Sequence, residues 1–287
     1  MIAALLFLVA AAPARSPVLP QTPAPKVAAL DRVVVLGASL SSGFGLELEP
    51  GAHVRFSELV DASLRADHGP VVPRTSLLFF TDPLPTGKSL AAAARSSDPT
   101  LVVAVDFLFW FGYGAFASPD GRIKLLDQGL ALLEEFRCPV MVGDFPDCRE
   151  ASRDPAPGGP PRLLAPEQVP SPAELEKLNE HLRAWAAART NVVVLPLARL
   201  GERLRAGKDV EIHGNRWAVD ELAGLMQKDR LHPTLDGAIA LWLGALDALV
   251  AARPELPVSA FEWDAKAIRK RIAETRAKSR APPAGGR

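Results

Sequence analysis

Arg32-Val33-Val34-Val35-Leu36 runs directly into Gly37-Ala38-Ser39-Leu40-Ser41-Ser42-Gly43-Phe44-Gly45. Val33 to Leu36 are apolar without alternation, the pattern of a strand buried on both faces rather than one. The small residues that follow let the backbone turn tightly and leave a hydroxyl at the carboxyl end of that strand. In open parallel sheets, ligands bind in the crevice beyond those carboxyl ends, so the junction reads as both the start of an α/β fold and the edge of a site.

Working outward, four more short runs rich in branched and aromatic residues read as strands: Thr75 to Phe80, Leu101 to Val105, Pro139 to Gly143 and Asn191 to Leu195. Amphipathic stretches separate them, with apolar positions three and four apart at Phe56, Val60 and Leu64, at Ile123, Leu126, Leu130 and Leu133, and at Leu175, Leu178, Leu182 and Trp185. Ser171, Pro172 and Glu174 form the signature of a capping box with proline at the first helical position. A last helix is expected from Leu235 to Ala251. The alternation predicts an α/β protein in which helices cover both faces of a five-stranded parallel sheet.

The chain has 287 residues, 48% hydrophobic, with 33 basic against 33 acidic side chains. That composition excludes a disordered chain, and zero net charge leaves no electrostatic footprint for nucleic acid. No apolar run reaches the roughly 18 residues of an integral membrane span. Ile2 to Ala12 followed by Ala12-Pro13-Ala14 reads as a signal peptide over residues 1–14, which predicts export to the periplasm or outside the cell, or an N-terminal anchor. Residues 15–30 form a proline-rich tether, 31–253 the folded domain and 254–287 a basic tail, a solvated helix that frays. The proline-rich segment from Asp154 to Pro170 is a surface excursion. Cys138 and Cys148 are too few for a disulfide framework, and a strand between them argues against their pairing.

The loop from Gly37 to Gly45 lacks the spacing of a phosphate loop, and Ser41 stands where a nucleophile elbow G-x-S-x-G needs its last glycine. It works as a nucleophile loop of another kind, with Ser39 ahead of Ser41 or Ser42. A serine hydroxyl needs a base, and the base needs a group to hold its tautomer. Asp229-Arg230-Leu231-His232-Pro233-Thr234 supplies both on one loop, with Thr234 as N-cap of the last helix. His53, His68, His181 and His213 have no spaced partners of a metal site, so no metal and no other cofactor is implied.

Gly37-Ala38-Ser39-Leu40 after the first strand, combined with Asp229-x-x-His232-Pro233 before the last helix, resembles the SGNH or GDSL hydrolase family. The resemblance implies a three-layer α/β/α, flavodoxin-like fold over about three quarters of the chain. It also implies a serine esterase that hydrolyses carboxylic (acyl or acetyl) esters through an acyl-enzyme: Ser39 as nucleophile, His232 as general base and acid, Asp229 as its orienting carboxylate. The substrate would be a small-molecule or polysaccharide-borne ester of a short acyl or acetyl group, with lipid esters equally compatible. The alternative is a catalytically weak domain of the same fold that binds a glycan or a partner protein.

The chain departs from the family at two places. Ala38 replaces the usual aspartate, and the segment after the third strand, Asp106-Phe107-Leu108-Phe109-Trp110-Phe111-Gly112-Tyr113-Gly114, holds no asparagine to serve the oxyanion hole. The oxyanion donors expected instead are the backbone amides of Ser39, of Gly87 as the glycine after the second strand, and of Gly112 or its neighbour Gly114. Asp106, Phe109 and Trp110 are expected to border the substrate pocket, Asp106 as a carboxylate that would repel an oxyanion unless protonated or paired.

Overall fold

The computed structural model describes residues 26–116, 118–155, 157–205 and 209–280; the signal peptide expected over 1–14 and most of the tether lie outside them. In chain order the elements are β1 (Val33–Gly37), α1 (Ser39–Ser42), α2 (Phe56–Ser63), β2 (Val72–Thr75), α3 (Pro83–Arg95), β3 (Leu101–Ala104), α4 (Phe109–Gly112), α5 (Pro119–Glu134), β4 (Val140–Gly143), α6 (Pro172–Ala187), β5 (Val192–Leu195), α7 (Leu197–Arg205), β6 (Val210–Ile212), β7 (Asn215–Trp217), α8 (Leu235–Ala252) and α9 (Ala265–Arg280). β1 to β5 form one parallel sheet in the order β2-β1-β3-β4-β5, and β6 with β7 forms a small antiparallel hairpin.

Period-two alternation explains how β1 is buried twice over. Val33 and Val35 enter one core beside Trp242, Leu246 and Phe56, whereas Val34 and Leu36 enter the other beside Phe107, Leu126 and Leu182. The first core lies under α2, α8 and α9, the second under α3, α5 and α6, which makes three layers. The sheet order reverses direction between β1 and β3, whose register sets Val33 opposite Leu101 and Val35 opposite Val103. That switch point brings the loops after β1 and β3 side by side.

The capping box on α6 is present: Ser171 Oγ accepts from the Glu174 amide at 3.3 Å and Glu174 Oε2 from the Ser171 amide at 2.8 Å. Thr234 caps α8, its Oγ1 accepting from the Gly237 amide. Cys138 and Cys148 carry thiols rather than a disulfide.

Four expectations are corrected. The second strand is Val72–Thr75, not Thr75 to Phe80. β2 is an edge strand, where Pro73 lacks only an amide the edge does not need, and the apolar run beyond it buries Phe79 while Leu77, Leu78 and Phe80 stay exposed. Pro83 to Arg95, where the sequence predicts neither a strand nor a helix, is a helix that proline opens at its first turn. Leu235–Ala252 is long and apolar enough to cross a bilayer, yet more than half of it is buried in the first core. The basic tail is no frayed appendage: Ile268 and Ile272 on α9 are 0% and 1% exposed against α2 and α8.

Candidate active site

Gly37 closes β1, and a β-carbon there would overlap Asp106 Oδ1 and Ser41 Oγ, so only glycine lets the loop after β3 approach this closely. Asp106 uses that approach. Its Oδ1 accepts from the Ala38 amide at 3.0 Å and from Ser41 Oγ at 2.5 Å, and its Oδ2 from the Leu40 amide at 2.8 Å and the Ser41 amide at 3.3 Å. Burial pushes the Asp106 carboxyl above its usual range, and the Ser41 hydroxyl and the three amides pull against that rise. The carboxylate is therefore paired, and it pins the first turn of α1 in place. The Ser42 amide bonds to Ala38 O. Among the described residues, Ser39 then holds the one amide from Ala38 to Ser42 with no acceptor of its own.

The other half of the site is assembled locally. Asp229 Oδ1 accepts from the amides of Leu231 at 2.9 Å and His232 at 3.0 Å, and its Oδ2 meets His232 Nδ1 at 2.8 Å. Arg230, between them, has a φ of 60°, a left-handed conformation that a side chain adopts at a cost and that folds the loop back on itself. Burial would raise the Asp229 carboxyl, but the hydrogen bonds from the His232 ring and from the backbone of His232 and Leu231 outweigh it and hold the group below its usual range. Asp229 is thus an acceptor, which assigns the proton to Nδ1 and leaves the Nε2 lone pair directed at Ser39 Oγ, 2.8 Å away.

Two further residues hold these halves together. Gln227 Nε2 donates to Phe44 O at 2.9 Å and to Pro233 O at 2.8 Å, tying the loop of Ser39 to that of His232. The Phe44 ring lies 4.5 Å from the imidazole, centroid to centroid, and covers it. No pattern in the sequence marks either one, because their role depends on two loops meeting.

A cavity of about 330 Å³ opens at Ser39 and His232, with Asp106 and Phe109 also in its wall. Trp110 is not in that wall; its ring packs against Phe80 and Phe109 instead. Gly87 and Gly112 do not line the cavity either. Gly87 lies within α3, where its hydrogen faces Phe111, Leu132 and Phe107, and the Gly112 amide is taken up by Leu108 O at 3.3 Å inside the turn of α4. Both are packing glycines among aromatic rings, as most of the run from Phe107 to Tyr113 is core. The Gly114 amide is bonded to Gln168 O. Of the donors expected from the sequence, the structure leaves the Ser39 amide at the cavity. The remaining histidines each sit beside a single carboxylate: His53 by Glu47, His68 by Asp61, His181 by Asp127 and His213 by Asp247.

Among solved structures, the chain is similar to a gut microbial diltiazem-metabolizing enzyme, with a TM-score of 0.50 and 14% identity over 79% of this chain and 48% of that one. It is also similar to a lipase/acylhydrolase from Enterococcus faecalis, with a TM-score of 0.50 and 16% identity over 82% of this chain and 99% of that one. The chain thus spans about half the length of the first and nearly all of the second. At such identities the likeness is one of fold: the chain has the three-layer, flavodoxin-like α/β/α fold of that lipase/acylhydrolase. No protein-family model matches the chain. No curated protein matches it in sequence.

Proposed function

We propose that the protein is a serine esterase that cleaves carboxylic esters through an acyl-enzyme on Ser39. One observation carries this reading: the continuous chain from Ser39 Oγ through His232 Nε2 and Nδ1 to Asp229 Oδ2, with both links at 2.8 Å. His232 takes the hydroxyl proton as the oxygen attacks the ester carbonyl, and the ionised Asp229 stabilises the imidazolium that forms. The imidazolium returns the proton to the leaving alkoxide. Water, activated by the same ring, then releases the acid and regenerates Ser39. The unengaged Ser39 amide is the donor this chain offers to the developing oxyanion, and a donor of that kind is typically worth about 10²- to 10³-fold in turnover. Export, read from residues 2–14, belongs to the same proposal.

A catalytically weak binding domain is favoured by one specific feature, the lack of an asparagine in the segment Asp106 to Gly114 that follows β3, where Asp106 is wholly engaged in holding the turn of Ser39. Reaction of the purified protein with a small fluorophosphonate, read by intact mass beside Ser39→Ala, separates the two. The esterase reading expects one adduct on the wild type and none on the variant. Folded wild-type protein that takes no adduct overturns the esterase reading and favours the binding domain.

A further inference from the structure

The cavity at Ser39 and His232 continues between the sheet and the outer helices, walled by Val105 and Phe145 on the sheet side and by Leu197, Leu200, Ala240 and Leu241 on α7 and α8. Most of its surface is apolar. The four carboxylates in the wall are already engaged: Asp106 by the turn of Ser39, Asp144 by the Ala198 amide at 2.7 Å, where it caps α7, Asp147 by Arg149 and Glu150 by Arg153. A sugar placed inside would give up its hydration with few partners to replace it, whereas an alkyl chain gives up nothing. At about 330 Å³ the space is within the ordinary range of ligand pockets, and at roughly 30 Å³ for a group the size of a water molecule it takes about ten methylenes.

Resting on the serine-esterase reading, we propose that this cavity receives the acyl chain of the ester, so that the enzyme prefers medium-chain acyl groups of roughly eight to ten carbons over acetyl. Ala240 and Leu241, on the wall that α8 contributes, set the depth. The alcohol half of the ester then stays outside, on the side open to solvent.

The test is a series of p-nitrophenyl esters from acetyl to hexadecanoyl, run on the same preparation that is labelled with the small fluorophosphonate. The expected kcat/KM rises by about two- to fourfold per added methylene up to octanoyl or decanoyl, as burial of each methylene predicts, and stops rising at hexadecanoyl, when the cavity is full. In Ala240→Leu and in Leu241→Trp the ratio of octanoyl to acetyl kcat/KM falls at least tenfold; a ratio is indifferent to the fraction of protein folded. Labelling at Ser39 with acetyl hydrolysed as well as octanoyl overturns the acyl-chamber inference alone, as does a ratio untouched in both variants. Absence of any adduct on folded protein overturns the esterase reading beneath it.

Discussion

Asp106 and Asp229 are two half-hidden carboxylates whose environments push them in opposite directions, and their pH dependence follows with opposite sign. Asp229 is held below its usual range, so its contribution to stability is complete above its unfolded value of about 3.9 and is lost as pH falls through the lower folded one. Asp106 is held above its usual range, so its charged form costs stability as pH rises from about 4 through its folded value. Unfolding free energies of the wild type, Asp229→Asn and Asp106→Asn between pH 3 and 7 check both. The margin of wild type over Asp229→Asn is expected to shrink toward pH 3, and the margin over Asp106→Asn to widen. Asparagine at 106 also sets an N–H₂ group against backbone donors whichever way it turns, a mismatch that typically costs about 1–3 kcal/mol. Asp106 is not the unpaired carboxylate that would repel an oxyanion, since four donors already face it.

At the scale of the element, α6 does more than cover the sheet. Its buried Asn179 takes the Phe145 amide on Oδ1 at 2.8 Å and gives Nδ2 to Phe145 O at 2.9 Å, closing both backbone groups of the residue that follows β4 by two positions and lines the cavity. Asn179→Ala leaves that amide and carbonyl buried without partners. A loss of about 1–3 kcal/mol in urea unfolding is expected, and because Phe145 loosens, the change in KM for long acyl esters should exceed that for acetyl. Equal changes in both would show that the loop after β4 does not shape the chamber. The helical periodicity of α6 was legible in the sequence, but Asn179 was not: a polar residue at a core position looks like a flaw until the loop it serves is seen.

For the whole molecule, the C-terminal helix belongs to the domain. Ile268 and Ile272 on α9 are fully buried, Arg276 pairs with Glu58 on α2, and Arg269 with Asp236 on α8. Removing two buried isoleucines forfeits about 1.5–3 kcal/mol each, against a total stability of about 5–15 kcal/mol for a typical domain. A chain ending at Asp264 is therefore expected to melt well below the full-length protein in a thermal scan followed by circular dichroism. An unchanged midpoint would return the segment to the status of a tail. Its net positive charge hid this role, because a basic stretch reads as solvated when only two of its side chains face inward.

The sequence by itself determined the alternation of strands and helices, the double burial of β1 and the pairing of Asp229 with His232. Each of these is written in neighbours: period two or 3.6 decides which faces are apolar, and a carboxylate three residues before an imidazole meets it within one loop. Only the tertiary structure decided that Ser39 meets His232 across 193 residues, that Asp106 holds the turn of Ser39, and that an apolar chamber opens beside them. Those contacts depend on the order β2-β1-β3-β4-β5, which sets the loops after β1 and β3 together at the switch point. No local period encodes that order, because it is settled by which buried faces fit one another once the whole chain has packed.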